Sequence, residues 1–297
     1  MAAGSNAFYS QQYASAVELL SQQLTPRIAG LFTPMTAVGK SATVVNQIDA
    51  FEADERTGLY EPIVFGEPDH NRPWVYPRHF DKAIPFDSIE QMQTNANPTS
   101  EYVQGVVAAL NRRKDDEAIR AFFADRLMGE SGTTTDQFAV AMQIGVNVGG
   151  TASGLNVEKI QAALEVLRSL EVGLEDGETI NCVISPKQER NLMNELEVTS
   201  SDFTVKRIMD SGTMAGSGYM KINWVISNRL LVDGSAYRRV PFFTGKGMSF
   251  CTWDGGTKTK VSQRDDLRGQ PWQVYGETHC GSVRRDAKRV VEIKCAE

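Results

Sequence analysis

The amino-acid sequence predicts a mixed α+β fold in which part of the chain projects as an arm without a hydrophobic core of its own. Three observations lead to this prediction. The residues before Asn97 are rich in turns and only half apolar, the residues after Asn97 have the pattern of one long amphipathic helix, and helix and strand patterns alternate over residues 140–235. Because a lone projecting hairpin is marginally stable in water, we expect the chain to complete its fold on neighbouring copies.

The composition is that of a soluble globular protein. Of 297 residues, 41% are hydrophobic and 23% are charged, as in ordinary folded domains. The formal net charge of −6 excludes a nucleic-acid-binding surface over the whole chain. No apolar run reaches the ~20 residues that span a bilayer, and residues 1–6 have no secretory pattern, so we expect no membrane partner.

The first hundred residues contain the projecting arm. Apolar residues recur at helical spacing within residues 8–31, which predicts a short helix and an arm. From Lys40 the pattern becomes strand-like, a polar tip follows at residues 52–58, and an apolar return includes Trp74 and Tyr76. This order predicts an extended two-stranded hairpin that needs a partner surface.

The long helix has clear signals at its start. Asn97 is a capping residue, and Pro98 suits the first helical position, where a missing N–H has no partner to lose. One apolar stripe then continues through Phe122. We predict a helix from Pro98 to about Asp125, roughly 40 Å long at 1.5 Å per residue.

Beyond residue 140 the sequence predicts a compact α/β unit followed by late strands. Asn156 begins a helix that Gly173 ends, and Ser185 with Gln188 forms a capping box. Further predicted elements are a strand at 179–184, a short helix at 203–209, a strand at 222–226 and alternating strands at 272–279 and 290–295.

Motifs for catalysis or metal binding are not found. Gly39-Lys40-Ser41 lacks the glycine that a phosphate loop needs, because that position is Pro34. The four cysteines stand singly with no C-x-x-C pair, which predicts reduced, buried thiols. His70 and His79 have no familiar ligand spacing, and we interpret them, like His279, as surface or hydrogen-bonded histidines. We therefore expect no catalytic, cofactor-binding or metal-binding residues.

A run of opposite charges on the long helix has two interpretations. Arg112 and Arg113 precede Asp115 and Asp116 at helical spacing. These charges either form a solvated face with local pairs of about 0.2–0.5 kcal/mol each, or set the register against a neighbouring subunit. The candidate inter-subunit contacts are Phe51, Arg56, Tyr60, Arg112, Arg113, Asp115 and Asp116.

Several segments occur in a characteristic order along nearly the whole chain. They are Gly39-Lys40-Ser41-Ala42, Asn46-Gln47-Ile48-Asp49, Pro68-Asp69-His70-Asn71-Arg72-Pro73-Trp74-Val75, Asn97-Pro98-Thr99-Ser100-Glu101-Tyr102, Ile222-Asn223-Trp224-Val225-Ile226-Ser227 and Val290-Val291-Glu292-Ile293. Together they resemble the major capsid proteins of tailed bacteriophages, which have the Hong Kong 97-type capsid fold.

The resemblance implies an architecture and a function. The expected parts are an N-terminal arm at 1–37, an extended loop at 38–85, a peripheral domain with the spine helix at 86–139 and 241–297, and an axial domain at 140–240. The expected function is a non-enzymatic major capsid protein whose hexamers and pentamers form an icosahedral phage head around double-stranded DNA.

Partners follow from the same resemblance. They are many copies of the chain, a portal, a separate scaffolding protein and, in some heads, decoration proteins. DNA is enclosed without sequence specificity, and assembly takes place in the host bacterial cytoplasm. Lys40 and Lys82 lie only at the base of the loop, so we expect no covalent cross-linking. Two alternatives stay open at this point: an encapsulin-like nanocompartment shell of the same fold, and a soluble α/β enzyme centred on 140–240.

Overall fold

The computed structural model describes residues 19–48, 53, 55, 65–66, 70–86, 99–148, 150–173, 177–195 and 213–297. Its α-helices within these residues are α1 (Thr99–Phe123), α2 (Val157–Ser169) and α3 (Pro186–Met193). Its strands are β1 (Thr33–Ala37), β2 (Ala42–Thr43), β3 (Gln47–Ile48), β4 (His70–Asn71), β5 (Trp74–Val75), β6 (Arg78–Phe86), β7 (Arg126–Met128), β8 (Thr134–Asp136), β9 (Gln143–Ile144), β10 (Ile180–Ile184), β11 (Ile222–Ile226), β12 (Arg238–Thr244), β13 (Met248–Gln263), β14 (Trp272–Arg284) and β15 (Val290–Cys295). The predicted α+β class is confirmed.

The long helix lies where the sequence predicts it. α1 spans Thr99–Phe123, within two residues of the predicted end. Its buried side chains follow the predicted apolar stripe and include Val106, Leu110, Ala118 and Phe122. The short helix expected within residues 8–31 does not include residues 19–24, which are described and have no helical turn. Residues 8–18, and residues 203–209 where a second short helix was expected, lie outside the described residues.

The chain divides into two compact units. The first comprises the described residues of Met1–Pro26, His79–Arg113 and Gly255–His279. Its core contains Phe86, Val106, Leu110 and Val274. A glycine on β14 makes this packing possible, because a Cβ at Gly276 would lie 2.5 Å from Val106 Cγ1. The helix can therefore approach the strand closely in this unit.

The second unit comprises the described residues of Arg27–Arg78, Lys114–Asp254 and Cys280–Glu297. Its five-stranded sheet has the order β11-β10-β12-β15-β9, with β10 parallel to β11 and antiparallel to β12. Three rings form an aromatic cluster, since Phe122 lies 5.2 Å from Phe32 and 4.6 Å from Phe243 between ring centroids. The remaining sheets have the orders β1-β13-β14-β6, β2-β5-β7-β8 and β3-β4.

The caps of α2 and α3 confirm the predicted starts of both helices. The Asn156 side chain accepts a hydrogen bond from the backbone nitrogen of Lys159 at 2.9 Å. Ser185 and Gln188 form the predicted capping box, in which the Ser185 hydroxyl accepts from the Gln188 backbone and the Gln188 side chain accepts from the Ser185 backbone. Each cap satisfies a backbone donor that the first turn leaves open.

The predicted end of α2 at Gly173 is wrong. The helix ends at Ser169, and the chain leaves it through Glu171, whose φ is 59°. The backbone nitrogens of Glu171 and Val172 donate to the carbonyls of Arg168 and Leu167, each at 3.0 Å. This is a Schellman motif with a non-glycine residue in the left-handed position.

Two buried charged side chains in the second unit were not predicted. Glu292 is fully buried on β15 and pairs with Arg239 on the adjacent strand β12. The ammonium group of Lys159 is also buried and donates to the carbonyl oxygens of Ser153, Gly154 and Lys294 at 2.7, 2.9 and 3.1 Å. These contacts satisfy both charges, as burial requires.

Candidate functional site

The base of the projecting loop is an antiparallel two-stranded ribbon. Ala42 and Thr43 on β2 pair with Val75 and Trp74 on β5. Farther out, the short strands β3 and β4 pair in the same antiparallel sense. The two arms of the predicted hairpin are therefore found at its described base.

Side chains fix this ribbon to the second unit. The indole nitrogen of Trp74 donates to the Gly129 carbonyl at 2.7 Å, and the amide of Gln47 donates to the Arg285 carbonyl at the same distance. Gly132 lies against the Trp74 ring, where a Cβ would be 2.9 Å from the indole. The described base of the ribbon is therefore held at a defined position in the second unit.

Apolar side chains of the loop are open to solvent. Ile48 on β3 is 59% exposed and Phe65 is 87% exposed. Burying such side chains contributes about 25 cal/mol per Å² of apolar surface. An interface that covered these side chains would be stabilised by that burial. The candidate contact residues Phe51, Arg56 and Tyr60 lie outside the described residues.

Asp115 is fully buried and binds the segment that precedes β1. Its Oδ2 atom accepts from the backbone nitrogen of Arg27 at 2.9 Å, and its Oδ1 atom accepts from Ile28 and Ala29 at 3.0 and 3.1 Å. These donors lie at the start of the 3-10 turn Ala29–Leu31 and on the two residues before it. The carboxylate therefore acts as a cap on that turn, supplied from the middle of α1.

Asp116 pairs with the loop after β11. Its two carboxylate oxygens accept from Arg229 Nε and Nη2, both at 2.6 Å. This bidentate hydrogen bond raises the pKa of Arg229. Burial opposes the rise, and the negative charges of Asp116 and Asp115 add to it. The pair fixes the loop after β11 to the second half of α1.

Arg112 and Arg113 belong to the first unit. The Arg112 guanidinium donates to the Gln22 side chain at 2.7 Å and to the Gln23 carbonyl at 3.2 Å. The neighbouring Asn111 donates to the Leu24 carbonyl at 2.8 Å. Arg113 is exposed on α1. Of the predicted charged residues, Arg112, Asp115 and Asp116 thus contact their own chain, and an inter-subunit role for the set stays a prediction.

Two further charged or polar clusters were not predicted as clusters. Glu117 is buried and accepts from Arg78 at 2.9 Å and from Arg120 at 2.6 and 3.0 Å. His79 and His279 form a hydrogen-bonded pair across β6 and β14, which confirms their interpretation as hydrogen-bonded histidines. Sequence spacing can reveal the pair of Glu117 and Arg120, which are three residues apart on one helix. It cannot reveal the contact of Arg78 with Glu117 or the histidine pair, whose members are 39 and 200 residues apart.

The described residues show neither a three-ligand metal centre nor a membrane-crossing helix. Groups of three or more His, Cys, Asp or Glu side chains able to hold a metal ion are absent from this part of the chain. In the same residues, no helix combines the length and apolarity needed to cross a membrane.

Comparison with known proteins identifies a family and a fold. The model of the family described as "Phage capsid protein" matches residues 5–297. A search of curated proteins finds no match. Among solved structures, the capsid of Cyanophage P-SCSP1u is 13% identical with a TM-score of 0.71, and the match covers 98% of this chain and 94% of that chain. The Ralstonia phage GP4 capsid is 11% identical with a TM-score of 0.70, and the match covers 99% and 98%. The Cyanophage Pam1 capsid is 11% identical with a TM-score of 0.71, and the match again covers 99% and 98%.

Proposed function

This chain belongs to the phage capsid protein family, and from this we propose that many copies of it assemble as hexamers and pentamers into an icosahedral head that encloses double-stranded DNA. The role of the chain is structural rather than enzymatic, and its place is the phage head. The fold is the Hong Kong 97-type capsid fold.

The observation that supports assembly most directly is the two-stranded ribbon at the loop base. It starts from a position fixed by Trp74 and Gln47, and it carries exposed apolar side chains such as Ile48 and Phe65. A neighbouring copy that covered these side chains would stabilise both partners. Standard protein interfaces bury about 1,600 Å² in total and obligate ones bury more, and an extended loop laid across a neighbour is suited to the obligate kind.

We propose that the chain has the four parts that the family resemblance implies. Residues 1–37 form the N-terminal arm, 38–85 the extended loop, 86–139 with 241–297 the peripheral domain, and 140–240 the axial domain. The further proposed partners are a portal, a separate scaffolding protein and decoration proteins, and the proposed place of assembly is the host bacterial cytoplasm. DNA is enclosed without sequence specificity, in keeping with the net charge of −6.

Deleting the loop tip tests the proposal. We expect a chain without Phe51–Gly58 to stay folded but to build no shells, because the loop can no longer cover a neighbour. Electron microscopy and sedimentation of the purified product measure assembly, and circular dichroism verifies that the subunit is folded. A matched control replaces Asp233–Ala236, a turn on another loop, with four glycines. Normal shells from the deletion would contradict the proposal.

A charge reversal tests the exposed side of α1 separately. We expect Arg113→Glu to lower the yield of particles or to change their size. A negative charge would then face the surface of the neighbour that the positive Arg113 faces in the wild type. Arg190→Glu, an equal change at an exposed position on α3, serves as the control. Unchanged yield and size for Arg113→Glu would reject an inter-subunit role for this residue.

A further inference from the structure

Two imidazole rings from distant parts of the chain meet on one face of the first unit. His79 on β6 and His279 on β14 have their Nδ1 atoms 2.7 Å apart, and their ring centroids lie 4.6 Å apart with an interplanar angle of 74°. At this distance one Nδ1–H donates to the other Nδ1, which accepts through its lone pair. Without that proton, both Nδ1 lone pairs are available to a ligand-binding ion once the rings rotate slightly about their side-chain torsions.

The space beside the two Nδ1 atoms is open to solvent. His79 is exposed and His279 is half-buried, so an ion from solution can reach the two nitrogens without any movement of the backbone. β6 is an edge strand in the sheet order β1-β13-β14-β6. A group bound by both rings would therefore link an edge strand to its neighbour.

We propose that His79 and His279 form a binding site for a late first-row divalent cation, Cu²⁺ or Ni²⁺, with both Nδ1 atoms as ligands. Metal–imidazole distances are about 2.0–2.1 Å. Two nitrogens at a right angle about such an ion lie about 2.9 Å apart, whereas a tetrahedral angle needs about 3.3 Å. The observed 2.7 Å is closer to the right angle, which square-planar and tetragonal ions such as Cu²⁺ and Ni²⁺ adopt.

Binding requires no net loss of a proton from the pair. The proton on the donating Nδ1 moves through solvent to Nε2 of the same ring, so that both rings stay neutral and both Nδ1 lone pairs are available. The ion, bound to both Nδ1 atoms from one side of the line that joins them, takes the place of the hydrogen bond between the rings. Water completes its coordination, because the described residues hold no third ligand in place.

Charges of both signs lie on this face, because Lys258 on β13 is opposite Glu277 on β14 next to the Thr257–Thr278 contact. Strand alternation places Asp81 on the same face of β6 as His79, and Tyr275 and Glu277 on the same face of β14 as His279. The Tyr275 hydroxyl donates to Glu277 Oε2 at 3.1 Å. That hydrogen bond, then burial and the charges of Glu277 and Asp81, raise the pKa of Tyr275. Both carboxylates thus contribute negative potential to this face.

Few other imidazole groups compete for the ion, because the chain has only three histidines. Purified full-length protein is titrated with CuCl₂ and with NiCl₂ by calorimetry. We expect one ion per chain for the wild type, at least tenfold weaker binding for His79→Asn and for His279→Asn, and unchanged binding for His70→Asn. We also expect Zn²⁺ to bind more weakly than Cu²⁺, and Cu²⁺ to raise the melting temperature of the wild type.

A measurement on the wild type alone keeps the proposal testable if a variant fails to fold. Electron paramagnetic resonance of the Cu²⁺ form should show hyperfine coupling to two imidazole nitrogens. The absence of saturable binding at one ion per chain would overturn the proposal. A spectrum with fewer than two imidazole nitrogens, undiminished binding by a variant that carries both His79→Asn and His279→Asn, or an equal loss in His70→Asn would do the same. The inference stands independently of the proposed function.

Discussion

The Oδ1 atom of Asp115 lies 3.0 Å from the backbone nitrogen of Ile28, 87 residues earlier in the chain. The same carboxylate accepts from the backbone nitrogens of Arg27 and Ala29. One side chain in the middle of α1 therefore satisfies three successive backbone donors of the segment that leads into β1. Because the carboxylate and the Ile28 side chain are both fully buried, water cannot replace these hydrogen bonds.

Replacing Asp115 should therefore destabilise the subunit strongly. Asp115→Asn keeps the shape but removes the charge and one acceptor oxygen. We expect the free energy of unfolding to fall by about 2–3 kcal/mol, since hydrogen bonds to charged groups are the strong ones and buried donors are left open. Urea unfolding followed by tryptophan fluorescence measures this change. Asp116→Asn is the matched control, and its half-exposed pair with Arg229 should contribute about 1 kcal/mol or less. Equal losses in the two variants would contradict the anchoring role of Asp115.

Gly276 should be intolerant of a larger residue. In Gly276→Ala the new Cβ would lie 2.5 Å from Val106 Cγ1 and 3.1 Å from Leu110 Cδ1. We expect a loss of about 1–3 kcal/mol from overpacking. Gly234→Ala, where no atom lies within 4 Å of the added Cβ, should be neutral or slightly stabilising. Thermal unfolding of the two variants distinguishes them, and a neutral Gly276→Ala would show that α1 does not need this close approach.

Glu171 offers a stabilising substitution. Its φ of 59° is unfavourable for a residue with a Cβ and suits glycine, so Glu171→Gly should raise the free energy of unfolding by about 1 kcal/mol. Glu165→Gly, inside the same helix, should lower it by about 0.5–1 kcal/mol. Chemical denaturation of both variants gives the two signs. A loss of stability in Glu171→Gly would indicate that the Glu171 side chain makes a contribution larger than its backbone strain.

The buried thiols should make the folded subunit sensitive to alkali. Burial raises the pKa of Cys251 to about 11 and the pKa values of Cys280 and Cys295 to about 12, from an ordinary value of 9.0. Above pH 9 the unfolded chain releases thiol protons that the folded chain retains. Unfolding then becomes more favourable, and stability falls as pH rises from about 9 toward 11.

Two measurements test this sensitivity. The urea midpoint should decrease between pH 8 and pH 10.5, and it should decrease less in Cys280→Ala. At pH 8 iodoacetamide should label none of the four buried cysteines in the folded subunit, and all four in guanidinium chloride. Rapid labelling of the folded protein would show that these thiols are accessible.

Elements with local signals were predictable from the sequence. The start of α3 depends on Ser185 and Gln188, three residues apart, and both hydrogen bonds of the capping box are present. The range of α1 followed from its apolar stripe, because one helix face repeats over many residues. These features depend on neighbours in the chain, so spacing alone identifies them.

Features that depend on distant partners were not predictable. Glu292 is buried because Arg239 lies beside it on the adjacent strand. His79 and His279 meet although 200 residues separate them. Glu171 ends α2 because two Schellman hydrogen bonds hold it in a conformation that spacing assigns to Gly173. In each case the tertiary structure decides what the local pattern leaves open.

The position of β15 in its sheet has a consequence for biosynthesis. β15 lies between β12 and β9, yet the ribosome translates it after both. While the nascent chain is still being elongated, β9 has no hydrogen-bonded neighbour and one edge of β12 is open. The sheet can close only after residue 295 has been translated, so the five-stranded sheet of the second unit completes its pairing later than either strand that borders β15.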